Sequence, residues 1–174
     1  MEVVKAPGSY DLTGKVGIFL AGSIEMGKAE DWQTRVTKAL KDVDGIVILN
    51  PRRDDWDSSW VQSINNPQFN EQVTWELQAQ EDSNIILMYF DPPTKSPITL
   101  LELGLLSQLK FTKDGKRKHV IVCCPEGFWR KGNVDIVCDR YLVPQVNTID
   151  ELVAMAKEKA NEALTEKLGE VFEK

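Results

Sequence analysis

The sequence predicts an α/β protein in which a doubly wound, five-stranded parallel sheet lies between two layers of helices. Short apolar runs without polar alternation recur along the chain, and such runs suit strands that are covered on both faces. Segments with the apolar spacing of amphipathic helices separate these runs. The length of 174 residues fits one domain, which buries enough surface to need no disulfide or metal for its core.

Five apolar runs are predicted as strands. They cover residues 15–21, 45–49, 84–90, 119–124 and 141–146. Pro144 limits the fifth run to an edge of the sheet, because proline has no amide hydrogen to donate to a neighbouring strand. Residues 1–14, with Pro7, Gly8 and Gly14, are predicted to form a loose leader, and residues 15–174 a single domain.

Helical spacing occupies the intervals between the runs. The predicted helices cover residues 32–43, Pro67–Asp82, 98–109 and 150–164. In the second helix Phe69, Val73 and Leu77 recur at every fourth position, which predicts that they face the core. Residues 98–109 are apolar nearly all round and are predicted to form a buried helix. Strands that alternate with helices imply right-handed crossovers and a parallel sheet.

The composition argues against several classes of protein. The chain has 21 Lys and Arg against 27 Asp and Glu, a net charge of −6. This balance argues against a nucleic-acid polymer or an anionic membrane as the partner, because both require clustered cations. The longest apolar run has six residues, 85–90, whereas a membrane span needs ~18. No signal-peptide pattern precedes the first strand.

The positions of the three cysteines bear on the cellular compartment and on metal binding. Cys123 and Cys124 are adjacent and Cys138 is distant, which is neither a disulfide framework nor a zinc pattern. We therefore expect free thiols in a reducing cytoplasm. We also expect no metal and no cofactor.

In doubly wound sheets, ligands bind beyond the carboxyl ends of the strands, near the switch in strand order. Four loops should therefore carry the functional residues, at positions 22–27, 50–66, 91–102 and 125–135. The first loop contains Gly22, Ser23, Ile24 and Gly27, whose backbone could approach an anion. It is neither the dinucleotide fingerprint nor a P-loop, and the alternative is a simple strand-to-helix turn.

The second loop combines cations with large aromatic side chains. Trp56 and Trp60 could stack on a nucleobase, and Arg52 or Arg53 could pair with a phosphate or carboxylate. The structural alternative is that the two arginines balance Asp54 and Asp55 at the surface. Long irregular loops in compact domains are more often functional than idle.

Glu102 stands out, because it is the lone charge between Lys95 and Lys110, among leucines of a predicted buried helix. A buried carboxylate is costly unless it meets donors or performs chemistry. Near the start of a helix the dipole would keep it ionised, which makes it a nucleophile for an anomeric carbon. The alternative is a capping box, in which Thr99 begins the helix and Glu102 binds its amide.

Glu76 is a second candidate acid, 26 residues before Glu102 on the preceding helix. Cleavage of an N-glycosidic bond uses two carboxyl groups in different environments, one that attacks and one that handles the proton of the leaving base. The alternative is a solvated glutamate on a helix surface.

Several of these segments together resemble the nucleoside 2-deoxyribosyltransferase-like superfamily. They are IFLAGSI at residues 18–24, the helix that bears Glu76, SPITLLELG at residues 96–104, and GNVD at residues 132–135. The resemblance covers roughly residues 15–145. It implies a flavodoxin-like, three-layer α/β/α fold and the transfer of 2-deoxyribose between nucleobases.

The resemblance also implies roles for individual residues. The family's nucleophile falls on Glu102, and its acid, usually an Asp, falls on Glu76. An Asn supplied by a neighbouring subunit matches Asn133, which implies a homo-oligomer. Where some members have an Asp six residues before the nucleophile this chain has Ser96, with Asp91 farther off. The family's Tyr on the first strand is replaced by Ile18, next to Phe19.

The leading hypothesis is N-glycosyl transfer from a 2′-deoxynucleoside through a sugar ester on Glu102, with help from Glu76 and Asn133. Stacking and binding residues are expected among Phe19, Gly22, Ser23, Ile24, Arg52, Arg53, Trp56, Trp60, Asp91 and Trp129. One alternative is hydrolysis of a nucleoside 5′-monophosphate, with its phosphate on Ser23 and Arg52 or Arg53. The other is a non-catalytic nucleotide-binding module.

Overall fold

A computed structural model describes residues 1–25, 29–113 and 115–172 of the chain. The strands are β1 (Glu2–Lys5), β2 (Val16–Gly22), β3 (Ile46–Asn50), β4 (Ile85–Tyr89), β5 (His119–Cys123) and β6 (Gln145–Val146). The helices are α1 (Trp32–Ala39), α2 (Pro67–Asp82), α3 (Pro97–Leu106), α4 (Lys131–Tyr141) and α5 (Ile149–Phe172).

All the strand pairs of the sheet are parallel, in the order β1-β3-β2-β4-β5-β6. The five strands from β2 onward have the flavodoxin-like order, which confirms the predicted fold class. The sheet has six strands rather than five, because β1 pairs with β3 from Glu2 opposite Val47 to Lys5 opposite Asn50. The prediction that this segment is a loose leader is therefore wrong. Only two apolar residues mark β1, and Val3 is 42% exposed because the strand lies at the edge.

Two hydrophobic cores lie on opposite faces of the sheet. On one face, Ile18 and Leu20 of β2 pack in a cluster with Trp32 of α1 and Leu152 of α5. On the other face, Phe19 and Ala21 of β2 share a cluster with residues of α2, α3 and α4, namely Ala79, Leu103 and Val134. The alternating directions of β2 side chains thus build both layers.

The second helix does not bury the stripe that its apolar spacing predicts. Leu77 is 44% exposed, and Phe69 and Val73 are only half-buried. The buried residues of α2 are instead Gln72, Ala79 and Gln80. The prediction fails because the inward face of α2 is largely polar, and it reaches the candidate site rather than a dry core.

Helix α3 is buried on one face only. Its buried residues are Thr99, Glu102, Leu103 and Leu106. Ile98, Leu101 and Leu105 are more than half exposed on another face, so the prediction of an all-round buried helix is wrong in part. Within the described part of the chain, no helix has both the length and the hydropathy that a membrane crossing requires.

Candidate active site

The strand order of the sheet switches at β2, which has β3 on one side and β4 on the other. Doubly wound folds have their crevice at this position. This switch in strand order opens beyond Gly22 and Tyr89, the last residues of β2 and β4. Gly22 allows the two strands to approach closely, since a Cβ atom there would lie 2.5 Å from the carbonyl oxygen of Tyr89.

Glu102 lies in the second turn of α3 and faces α2. The side-chain amide of Gln80 donates a hydrogen bond of 2.5 Å from Nε2 to Oε1 of Glu102. Glu102 is only 9% exposed. Burial raises the pKa of its carboxyl to about 8, the charge of Glu76 adds to this, and the bond from Gln80 opposes it. Burial and the charge of Glu76 therefore oppose the ionised form that the dipole of α3 favours.

The structure excludes the capping-box alternative for Glu102. Helix α3 begins at Pro97 with Ser96 as its N-cap, so Thr99 is already inside the helix. Ser96 has a left-handed conformation, with φ of 45°, and its side chain makes no capping hydrogen bond. The carboxyl of Glu102 meets the amide of Gln80 instead.

Glu76 lies on the inward side of α2, one turn before Gln80. Burial raises the pKa of its carboxyl, while a hydrogen bond of 2.7 Å from Nε2 of Gln72 to its Oε1 opposes the shift. The charge of Glu76 acts on Glu102. The fold thus brings together the two acids that lie 26 residues apart in the sequence, and Glu76 is not a solvated surface residue.

Sequence reasoning missed the two glutamines that hold these acids. Gln72, Glu76 and Gln80 are spaced four residues apart and therefore share one face of α2. The only signal in the sequence is this spacing of amides on either side of the acid.

A second polar cluster fills the crevice between β2 and β4. The hydroxyls of Ser23, Thr94 and Ser96 are all buried and hydrogen-bond one another, with 2.9 Å from Ser23 to Thr94 and 2.7 Å from Thr94 to Ser96. The backbone amide of Asp91 also donates to the Ser23 hydroxyl at 2.9 Å. The Ser23 hydroxyl is thus engaged within the protein.

Two carboxylates border this hydroxyl cluster. Oε1 of Glu25 accepts hydrogen bonds from the backbone amides of Lys95 at 2.5 Å and Ser96 at 2.7 Å. Buried Asp91 accepts the backbone amide of Glu30 at 3.0 Å. Glu25 therefore occupies two amides near the start of α3, and Asp91 occupies one near the start of α1. Ile24 is half-buried beside them, and Gly27 lies outside the described residues.

The arginines of the loop after β3 are paired with acids. Arg53 binds Asp55 through two hydrogen bonds of 2.7 and 2.9 Å, and its guanidinium lies 4.9 Å from the ring centre of Trp60. Arg52 lies 3.6 Å from Asp31. The pairing with acids follows the charge-balancing alternative in part, with Asp31 in place of Asp54, which Lys5 binds. The expected surface position is wrong for Arg53, whose side chain is 7% exposed and also donates to Gln72 at 3.4 Å.

The aromatic candidates separate into buried and exposed groups. Phe19 is fully buried beside Trp75, so no ring face is open for stacking on a base. Trp56 is 37% exposed and packs edge-on against Trp60, with ring centres 5.2 Å apart. Trp129 is half exposed, and its Nε1 donates to the carbonyl of Lys95 at 3.0 Å.

Asn133 does not meet Glu102 within one protomer. It lines a groove of about 340 Å³ between α3 and α4. Leu100, Leu103 and Gly104 form the α3 wall of that groove, whereas Glu102 faces Gln80 of α2. In the described part of the chain, no group of three or more His, Cys, Asp or Glu side chains could hold a metal ion.

Comparison with known proteins identifies the family. The family model "Nucleoside 2-deoxyribosyltransferase like" matches residues 15–128, about two thirds of the 174 residues. The chain belongs to this family. The match includes Glu76 and Glu102 and ends before Asn133. The family supports a nucleoside-related glycosyl-transfer or hydrolase activity in general and the binding of a small-molecule nucleoside.

A solved structure shares the fold. The conserved protein from Enterococcus faecalis V583 is similar with a TM-score of 0.50 and 12% sequence identity, over 83% of this chain and 99% of that chain. At this identity the similarity concerns the fold alone. The comparison with curated proteins gave no significant match.

Proposed function

We propose that the protein transfers the sugar of a 2′-deoxynucleoside to an acceptor base through a covalent ester on Glu102. The observation that carries this proposal is a pair of acids between α2 and α3, of which Glu102 is buried and Glu76 half-buried. Each acid has a raised pKa and each accepts a glutamine amide. Acids with raised pKa values that act on each other are typical of catalytic sites.

The first step forms the ester. A carboxylate oxygen of Glu102 attacks C1′ of the sugar, the C1′–N bond breaks, and its electron pair leaves with the base. In this step the one proton of the pair has passed from Glu102 to Glu76, and Glu76 gives it to the base. In the second step a nitrogen of the acceptor base attacks C1′, the ester bond breaks, and Glu76 takes the proton of the acceptor. Two displacements give net retention at C1′.

The two acids must therefore share one proton in the reactive form. A coupled pair loses its protons in two macroscopic steps. When both are protonated Glu102 has no charge with which to attack, and when both are ionised Glu76 has no proton for the leaving base. We expect a bell-shaped pH dependence with its maximum between the two steps.

The crevice favours a nucleoside over a nucleoside 5′-monophosphate. Glu25 covers the amides of Lys95 and Ser96, and Arg53 is engaged by Asp55. A phosphate here would have to displace one carboxylate and compete with another. Hydrolysis would use the same ester, with water in place of the acceptor base, and is the second outcome that the experiments must separate.

We also propose a cytoplasmic homo-oligomer. Asn133 lies away from Glu102 in one protomer, so a second copy would have to supply it to the site. The exposed apolar face of α3, with Ile98, Leu101 and Leu105, supports contact with that copy. A reducing compartment suits the three free, buried cysteines. Light scattering after gel filtration tests the assembly, and a monomer at all concentrations contradicts it.

The decisive experiment looks for the sugar ester. The protein is incubated with 2′-deoxynucleosides and, separately, with their 5′-monophosphates, and its intact mass is measured after rapid acid quench. We expect a deoxyribosyl adduct that maps to Glu102 and is absent from Glu102→Gln. The control Glu158→Gln changes an exposed glutamate of α5 and should retain the adduct.

The acceptor separates transfer from hydrolysis and from simple binding. Addition of a second base should yield the exchanged nucleoside without free deoxyribose. Free deoxyribose as the sole product indicates a hydrolase. Thermal stabilisation by nucleosides with neither adduct nor turnover indicates a binding module, and contradicts the proposal.

A further inference from the structure

We infer that Gln80 is a positioning residue of the site, whose side-chain amide holds the Glu102 carboxyl in its attacking orientation and favours its ionised form. This inference rests on the proposed role of Glu102 as nucleophile. It assigns a function to the buried glutamine of α2 that points toward α3.

The contact between Gln80 and Glu102 is short, and both side chains are buried. Gln80 is 2% exposed, Glu102 is 9% exposed, and Nε2 of Gln80 lies 2.5 Å from Oε1 of Glu102. A buried amide without a partner costs free energy, so this bond constrains both side chains. With Oε1 engaged, Oε2 is the oxygen that would reach C1′.

The backbone of Gln80 is itself anchored. Buried Lys118 donates from Nζ to the carbonyl oxygens of Gln80 at 2.6 Å and Ser83 at 2.5 Å. These carbonyls lie at the carboxyl end of α2, where a cation is favourable for the helix dipole. The amide of Gln80 thus projects from a fixed point of the helix, and it can set the orientation of a partner on another element.

The groups that face Glu102 give this amide an electrostatic role. Helix α2 presents the charge of Glu76, which disfavours ionisation of Glu102. On its sheet side α3 packs through Leu103 in the cluster that contains Phe19 and Ala21 of β2, and Arg130 of α4 lines the groove on the other side of α3. Gln80 opposes the effects of burial and of Glu76, because an amide N–H donates more strongly to a carboxylate than to a neutral carboxyl group.

The matched control is Gln78, two residues earlier on the same helix. Its side chain is exposed and bonds Asp82 on the helix surface. Gln80→Leu removes the amide with little change in size, and Gln80→Asn keeps an amide that is one methylene too short to reach. Gln78→Leu should leave every measured property of the site unchanged.

The experiment measures kcat, KM and their pH dependence for base exchange in these variants. We expect Gln80→Leu and Gln80→Asn to lower kcat about tenfold near pH 7 with KM nearly unchanged. The acidic limb of the pH profile should move about one unit upward, since ionised Glu102 loses its donor. A purely structural role would lower Tm but leave the limb in place, and would overturn the inference.

A measurement on the unsubstituted protein covers the case in which the variants do not fold. In ¹⁵N-labelled protein, the side-chain amide of Gln80 should shift with pH at the midpoint of the Glu102 carboxyl titration. The shift should vanish in Glu102→Gln. An amide that does not respond to pH overturns the inference, even if Glu102→Gln is inactive and the proposed function stands. Full activity of Glu102→Gln instead removes the proposed function itself.

Discussion

Two polar clusters of the molecule are built in opposite ways. At the switch in strand order, neutral hydroxyls of Ser23, Thr94 and Ser96 satisfy one another. Between α2 and α3, the carboxyl of Glu102 is buried and that of Glu76 half-buried, and the pKa values of both are raised. The first cluster holds the loops of the crevice together. The second costs stability at neutral pH, and such a cost is typical of residues retained for chemistry.

The most severe way to break the second cluster is Glu102→Gln. We expect base exchange to fall at least a thousandfold, on the order of the loss seen when a nucleophile is removed. Mass spectrometry and product analysis measure this effect. If Glu102→Gln exchanged bases as fast as the unsubstituted protein, the second cluster would have no more catalytic role than the first.

The same substitution should stabilise the protein at high pH. Because the folded pKa of Glu102, about 8, lies above its ordinary 4.5, its favourable contribution to folding is fully present below pH 4.5 and is lost as the pH rises to 8. Above pH 8 we expect Glu102→Gln to be more stable by roughly 5 kcal/mol, because each pH unit between the two pKa values is worth about 1.4 kcal/mol. Urea unfolding at pH 5 and pH 9 measures the difference, which should shrink at the lower pH.

Glu76→Gln should have the next largest effect. We expect exchange of ordinary bases to fall about a hundredfold, since a general acid commonly contributes that much or more. A deoxyriboside whose leaving group needs no proton should react much faster than an ordinary base in this variant. Equal losses for both leaving groups would contradict an acid role. Glu71→Gln, an exposed change on α2, is the control.

Ser23→Ala probes the first cluster through stability. Its removal leaves the buried amide of Asp91 without the oxygen that accepts its hydrogen bond, which should lower the free energy of unfolding by about 1–3 kcal/mol. The KM for nucleosides should change less than threefold, a rough bound for a group already satisfied within the protein. A large rise in KM at unchanged stability would show that Ser23 contacts the substrate and does not have a structural role alone.

Glu25→Gln should have the smallest effect on the kinetics. It tests whether Glu25 disfavours nucleoside 5′-monophosphates relative to nucleosides. Loss of the charge over the amides of Lys95 and Ser96 should improve the KM for nucleoside 5′-monophosphates several-fold, about threefold to tenfold. The KM for nucleosides should stay the same. Glu30→Gln changes a nearby exposed acid and serves as control, and an identical response in both variants would contradict a specific role.

Four of the strands and the unusual position of Glu102 could be predicted from the sequence. Unbroken apolar runs identify β2, β3, β4 and β5, because strands covered on both faces exclude polar side chains. A single acid among leucines identifies Glu102, because burial of a charge is costly. The edge strand β1 was not predictable, since a strand exposed on one side lacks that apolar signature.

The inward face of α2 shows the limit of pattern reasoning. Its apolar spacing points to Leu77, yet the helix turns Gln72 and Gln80 inward, because their amides find carboxyl partners there. Apolar periodicity identifies the apolar face of a helix. It carries no information about a polar side chain whose hydrogen-bond partner lies on a distant element.

By itself, the sequence determined the alternation of strands and helices, the carboxyl-end loops and the odd placement of Glu102, since these depend on local side-chain character. Only the tertiary structure decided which partners those residues meet. It brought Glu76 and Gln80 to Glu102, and it placed Asp31 next to Arg52. The protonation state of a buried acid depends on such neighbours, so Glu102 is an ordinary glutamate in the chain and acquires its raised pKa only in the fold.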